Sequence, residues 1–152
     1  MVLAIAVTLL RILGTLGVPC LKSWVVCLRG GLAAMFPMTG VSHFVGMRDE
    51  MVQMVPPALP APDLLVTLTG VLELLGAAGL LVRRTSGWAA AGLFVLLVVM
   101  FPANIHAALN GSSDAMPLMP RTLIQMVFLA ATGMVAATHL AARREVATPA
   151  RS

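Results

Sequence analysis

Residues 63–82 read DLLVTLTGVLELLGAAGLLV. As a helix, twenty residues rise about 30 Å, the depth of a bilayer's hydrocarbon core. Only one ionisable side chain, Glu73, interrupts the interior of the run. A soluble surface helix would oppose its apolar stripe with a charged face. Here the small and polar positions Thr69, Gly70, Glu73, Gly76 and Ala77 follow i, i+1, i+4, i+7 and i+8, a single stripe of the kind that lets helices approach closely in lipid. The stretch reads as a membrane span whose one carboxyl points at a neighbouring helix.

The rest of the chain agrees with that reading. Its 152 residues are 59% hydrophobic and 11% charged, against roughly 25% charged in a typical soluble domain. The few charges gather between long apolar runs, as they must where each span satisfies its own backbone hydrogen bonds. Five such segments, roughly 1–19, 24–45, 63–82, 87–109 and 121–141, each come near the roughly 20 residues needed to cross, followed by a polar tail, 142–152. The expected fold is an all-α membrane protein, a single domain built as an antiparallel bundle of five transmembrane helices. The stretch Met1 to Pro19 lacks a basic leader region, carries Arg11 in mid-run and shows no small-x-small cleavage motif, so it reads as a retained first helix.

Short connections at Cys20–Ser23 and Arg83–Ser86 imply helical hairpins. The longer connection from Gly46 to Pro62 holds Arg48, Asp49 and Glu50, then Pro56, Pro57, Pro60 and Pro62, a proline density that predicts an extended, shaped loop. Pro56 and Pro57 would make it a lid over the helix ends beneath. Asn110 to Pro120 is a turn region rich in Gly, Ser, Asp and Pro. Lys22, Arg83, Arg84, Arg143, Arg144 and Arg151 fall on one side of this layout and only Arg48 and Arg121 on the other. The positive-inside rule then puts the N-terminus outside and the C-terminus in the cytoplasm, with the proline loop on the outer face. Topology thus accounts for the net charge of +4. No basic stripe with interleaved aromatics is present to suggest nucleic acid.

Ionisable groups within spans are costly and face the protein interior. For Glu73 two readings stand. It is a structural carboxyl paired with Arg11, which matches its depth and shares a face with Thr8 and Thr15, or with Arg29; otherwise it is a titrating, ligand-binding carboxylate. Arg29 and His43 share a helix face but lie about 21 Å apart, so Arg29 is expected to snorkel to the inner headgroups. At the outer ends His43, Asn104, His106, Arg121 and Gln125 converge. Pro102 opens the turn before Asn104, and the donor fork of Arg121 suits an anionic or quinone-carbonyl partner. These residues are either headgroup-level groups or the lining of a small pocket under the proline loop.

Other chemistries find no residue set. His43 and His106 lack metal-ligand spacing, and His139 reads as interfacial, so no metal is expected. Cys20 and Cys27 form no C-x-x-C pair and read as small apolar side chains. No phosphate-binding loop, nucleophile elbow or dinucleotide fingerprint occurs, and no catalytic constellation is evident.

Five runs in order, Gly40-Val41-Ser42-His43-Phe44, Met54-Val55-Pro56-Pro57-Ala58-Leu59-Pro60, Leu68-Thr69-Gly70-Val71-Leu72-Glu73-Leu74-Leu75-Gly76, Phe101-Pro102-Ala103-Asn104-Ile105, and Arg121 with Gln125, resemble the DoxX family of small bacterial membrane proteins over roughly residues 24–141. The resemblance implies a four-helix membrane core, to which the first segment is an addition. It also implies residence in the bacterial cytoplasmic membrane and association with oxidoreductase assemblies, including quinone-coupled and oxidative-stress complexes; distant relatives assist the assembly of other membrane proteins. Its recurrent positions here are His43, Pro56, Pro57, Glu73, Asn104, Arg121 and Gln125.

The leading expectation is an accessory membrane subunit in a redox setting that binds a quinone-like or other small lipophilic ligand between Glu73, Asn104, Arg121 and Gln125, with His43 at the rim. The alternatives are a non-enzymatic assembly factor presenting Gly and Ala faces to client helices, or a small proton-coupled transporter using Glu73 as relay. Beyond the bilayer itself, a membrane or soluble oxidoreductase and a second copy of the chain are the partners such a bundle leaves open.

Overall fold

The structure, a computed structural model, describes residues 23–110 and 118–147, with Thr8 alone from the N-terminal segment. The expected first span, 1–19, and Arg11 within it therefore lie outside the described residues. Among the described residues every element is helical: α1 Trp24–Ser42, α2 Arg48–Met54, α3 Pro62–Leu81, α4 Ser86–Asn110 and α5 Leu118–Ala147. Four segments, Trp24–Ser42, Pro62–Leu81, Ser86–Ala107 and Thr122–Ala142, are long and apolar enough to cross a membrane. They make the chain a multi-pass membrane protein. Large apolar side chains such as Leu64, Leu75, Val99 and Val127 point outward. Water would oppose that much apolar exposure, whereas hydrocarbon is indifferent to it.

With lipid on the outside, small residues and the few polar ones mark the inside. On α3 the buried positions are Val66, Gly70, Glu73, Ala77 and Leu80, alternating steps of four and three, a seam facing one neighbour. α1 buries Cys27, Gly31, Phe36 and Gly40 along its own stripe. The core joins Leu32 and Phe36 of α1, Ala77 and Leu80 of α3, Leu93 and Leu97 of α4, and Val135 of α5. α1 packs chiefly on α3 and α4 chiefly on α5, with α3 against α4 closing the set.

The α1–α3 crossing is very close. A Cβ on Gly40 would stand 2.9 Å from Leu74 Cγ and 3.3 Å from the Gly70 carbonyl oxygen; one on Gly70 would stand 2.6 Å from His43 Cβ. Two glycines therefore let the end of α1 settle onto the N-terminal half of α3. Nearer the α3–α4 turn, Gly76 gives the same allowance to Leu93 and Gly79 to Ala89.

The 46–62 connection differs from the extended loop that its prolines predict. Its first part is the helix α2, because the prolines begin only at Pro56 and leave Arg48–Met54 free to coil, with Asp49 and Glu50 in the first turn where the helix dipole favours acids. The chain then turns, Leu59 N–H donating to the Pro56 carbonyl at 2.9 Å. It enters α3 through Ala61 at φ 52 and Pro62 at the helix start, where proline's missing N–H costs no hydrogen bond. Arg48 fastens this loop at both ends. Its Nη1 donates to the His43 carbonyl at 3.2 Å, its Nη2 donates to the Asp63 carbonyl at 3.3 Å, and Nη2 stands 3.6 Å from Asp63 Oδ1.

Gly70→Ala is expected to lower the thermal unfolding midpoint in mild detergent, by an amount corresponding to about 1–3 kcal/mol of overpacking. At Gly92 a Cβ meets nothing within 4 Å, so Gly92→Ala is expected to leave the midpoint unchanged or raise it. Parallel melts of the two variants check the contrast.

Candidate functional site

The α1–α3 crossing places His43, the residue that caps α1, over the carboxyl of α3. His43 is 3% exposed and Glu73 4%. His43 Nδ1 lies 3.0 Å from the Val66 carbonyl oxygen, a group that only accepts, so Nδ1 carries a hydrogen and donates it. Thr69 Oγ1, 3.2 Å from the same nitrogen, accepts a share of that hydrogen while its own is offered to the Leu65 and Val66 carbonyls, each at 3.0 Å.

That tautomer leaves Nε2 facing Glu73 Oε1 at 3.8 Å, an ion-pair separation longer than a direct hydrogen bond. Bare imidazole nitrogen against bare carboxylate would set lone pairs against each other in a low-dielectric seam. The arrangement is matched when one proton resides in it, as imidazolium with carboxylate or as imidazole with carboxylic acid. The Thr39 hydroxyl, donating to the Phe36 carbonyl at 3.1 Å, stands beside the same carboxyl. Among the described residues Glu73 Oε2 is buried with no hydrogen-bond partner. Such an atom is expensive to leave unsatisfied in a protein interior, so it marks where a further polar group would be welcome.

A second polar cluster joins α4 to α5. Asn104 Nδ2 donates to Gln125 Oε1 at 2.7 Å, and Gln125 Nε2 donates to the Leu97 carbonyl at 2.6 Å. Pro102 supplies no N–H to the turn below it, which loosens the backbone there. Gln125, 6% exposed, fills its amide against that turn.

The expected site residues thus fall into two clusters, with no described hydrogen bond or ion pair between them. His43 comes to Glu73, and Asn104 comes to Gln125. Arg121 belongs to α5, and its side chain lies outside the described residues, as does the Arg11 expected to pair with Glu73. Pro56 is half-buried and Pro57 exposed in the turn after α2. Sequence reasoning missed the parts played by Thr39, Thr69 and Arg48. Thr69 carried a signal, since it sits one turn before Glu73 on the same stripe; Arg48 carried none beyond being one of two arginines expected on the outer side.

Fold and site together define a small, helical, multi-pass membrane protein with a buried histidine–carboxyl pair. The chain belongs to the family described as a domain of unknown function, DUF8561, whose model matches residues 32–142 and so takes in both polar clusters. No curated protein and no solved structure matches it.

Gln125→Leu removes the acceptor of the Asn104 amide and the side-chain donor to the Leu97 carbonyl, and is expected to cost about 1–3 kcal/mol of stability. Combining it with Asn104→Leu is expected to cost less than the sum of the two single changes. Denaturant or thermal melts of the four-protein cycle measure the coupling.

Proposed function

We propose that this chain binds a small lipophilic, quinone-like ligand at the Glu73–His43 pair and acts as an accessory subunit of a membrane redox or oxidative-stress system, with no catalytic centre of its own. One observation carries the binding half of this reading: a buried carboxyl oxygen, Glu73 Oε2, without a hydrogen-bond partner among the described residues, beside an imidazole. A carboxyl–imidazole pair holding one proton accepts from the hydroxyl of a reduced ligand and donates to the carbonyl of an oxidised one, so it recognises both forms. Arg121, Asn104 and Gln125 are further candidates for the ligand's rim. The redox half rests on the runs of sequence that resemble the DoxX family, as does the bacterial cytoplasmic membrane as location. An assembly factor would need small-residue faces to offer a client, while Gly40, Gly70, Gly76 and Gly79 are all taken up by the chain's own helices.

Mass spectrometry of protein purified in mild detergent is expected to find bound quinone, and added quinone to raise the thermal midpoint. Glu73→Gln is expected to weaken that binding about tenfold, the loss of one charge-assisted hydrogen bond. A wild-type preparation with neither bound quinone nor any shift rejects the ligand.

The proposed orientation puts α2 outside and the α3–α4 turn in the cytoplasm, as the arginine distribution favours. A cysteine introduced as Asp49→Cys is then expected to react with a membrane-impermeant maleimide in intact cells, and one introduced as Arg84→Cys only after lysis.

A further inference from the structure

At the end of the molecule away from Glu73, a cavity of about 190 Å³ lies between the first turns of α1, the start of α4 and the last turns of α5. Its walls include Val25, Arg29, Ser86, Val135, Thr138 and His139, and among the described residues no carboxylate lines it. Arg29 is half-buried there. Neither Arg29 nor His139 has a hydrogen-bond or ion-pair partner among the described residues. The His139 ring owes its place to a glycine, since a Cβ on Gly87 would stand 2.5 Å from His139 Cγ. The α4 helix begins at this cavity and adds the positive end of its dipole.

A guanidinium fork and an imidazole N–H, gathered at a helix start with no acid beside them among the described residues, form a receptor for a phosphate group. The valine walls add what a free ion would not use, an apolar surface for the carbon skeleton attached to that phosphate. A zwitterionic headgroup would bring an ammonium with no carboxylate to meet it. Arg83, exposed in the turn before α4, is not among the residues that line the cavity, so it serves as the control for charge alone. We infer that this cavity binds the phosphate headgroup of an anionic phospholipid.

Native mass spectrometry of the purified chain, released from micelles holding equal amounts of phosphatidylglycerol and phosphatidylcholine, tests this. Wild type is expected to retain phosphatidylglycerol preferentially, Arg29→Gln to lose about tenfold of that preference, and Arg83→Gln to keep it. Arg29→Lys, which retains a point charge without the fork, is expected to fall between and carries the test if the glutamine variant does not fold. An unchanged preference in the Arg29 variants, or an equal loss in Arg83→Gln, overturns the site in favour of diffuse attraction. Thermal protection by inorganic phosphate equal to that by phosphatidylglycerol at the same concentration overturns the lipid as its source.

Discussion

Everything distinctive in this protein depends on how closely α1 can approach α3. In lipid no hydrophobic force drives helices together, so contact has to come from packing and from polar groups that find each other. Gly40 and Gly70 remove the atoms that would hold the two axes apart, and His43 then reaches the Val66 carbonyl, Thr69 and Glu73 in one motion. With larger residues at either glycine, the imidazole would be lifted off its carbonyl and the carboxyl would face a wall of aliphatic side chains. Packing and proton chemistry are thus the same contact seen from two sides.

The polar clusters solve a common problem differently. Asn104 and Gln125 satisfy one another, and Gln125 also donates to the Leu97 carbonyl, so their interaction is largely closed. Glu73 is not closed: one oxygen faces an imidazole at 3.8 Å and the other has no hydrogen-bond partner among the described residues. That remainder at Glu73 separates the two clusters more clearly than their residue types do.

The spans were legible because length and apolarity are local properties. The expected 63–82 became Pro62–Leu81, and the stripe through Gly70, Glu73 and Ala77 is the buried one. The seam also told that Glu73 faces protein. Its partner was not legible, because depth along a helix says nothing about where a neighbouring helix stops. His43 was assigned to the outer rim by counting from the start of its own span, yet α1 ends alongside the first turns of α3. The offset is made by α2 and the proline turn, which occupy the connection outside the crossing. Proline density correctly forbade helix after residue 55 but was read too broadly over the seven residues before it. The Asn104–Gln125 bond was half legible, as two amides expected at one end of the bundle.

The shortness of α1 has a consequence for the surrounding bilayer. Nineteen residues make a rod of about 28 Å, barely the thickness of a hydrocarbon core. Arg48 pins its far end to the start of α3, so α1 has little length to spare for tilting. Trp24 opens this helix and Trp88 lies at the start of α4, both strongly exposed, and the shared cavity puts these two helix starts at one level. Two indoles at one level behave as floats at a headgroup boundary. The molecule is thereby gauged to a particular membrane thickness: a thicker bilayer must thin around α1, a mismatch that sorts proteins among membranes.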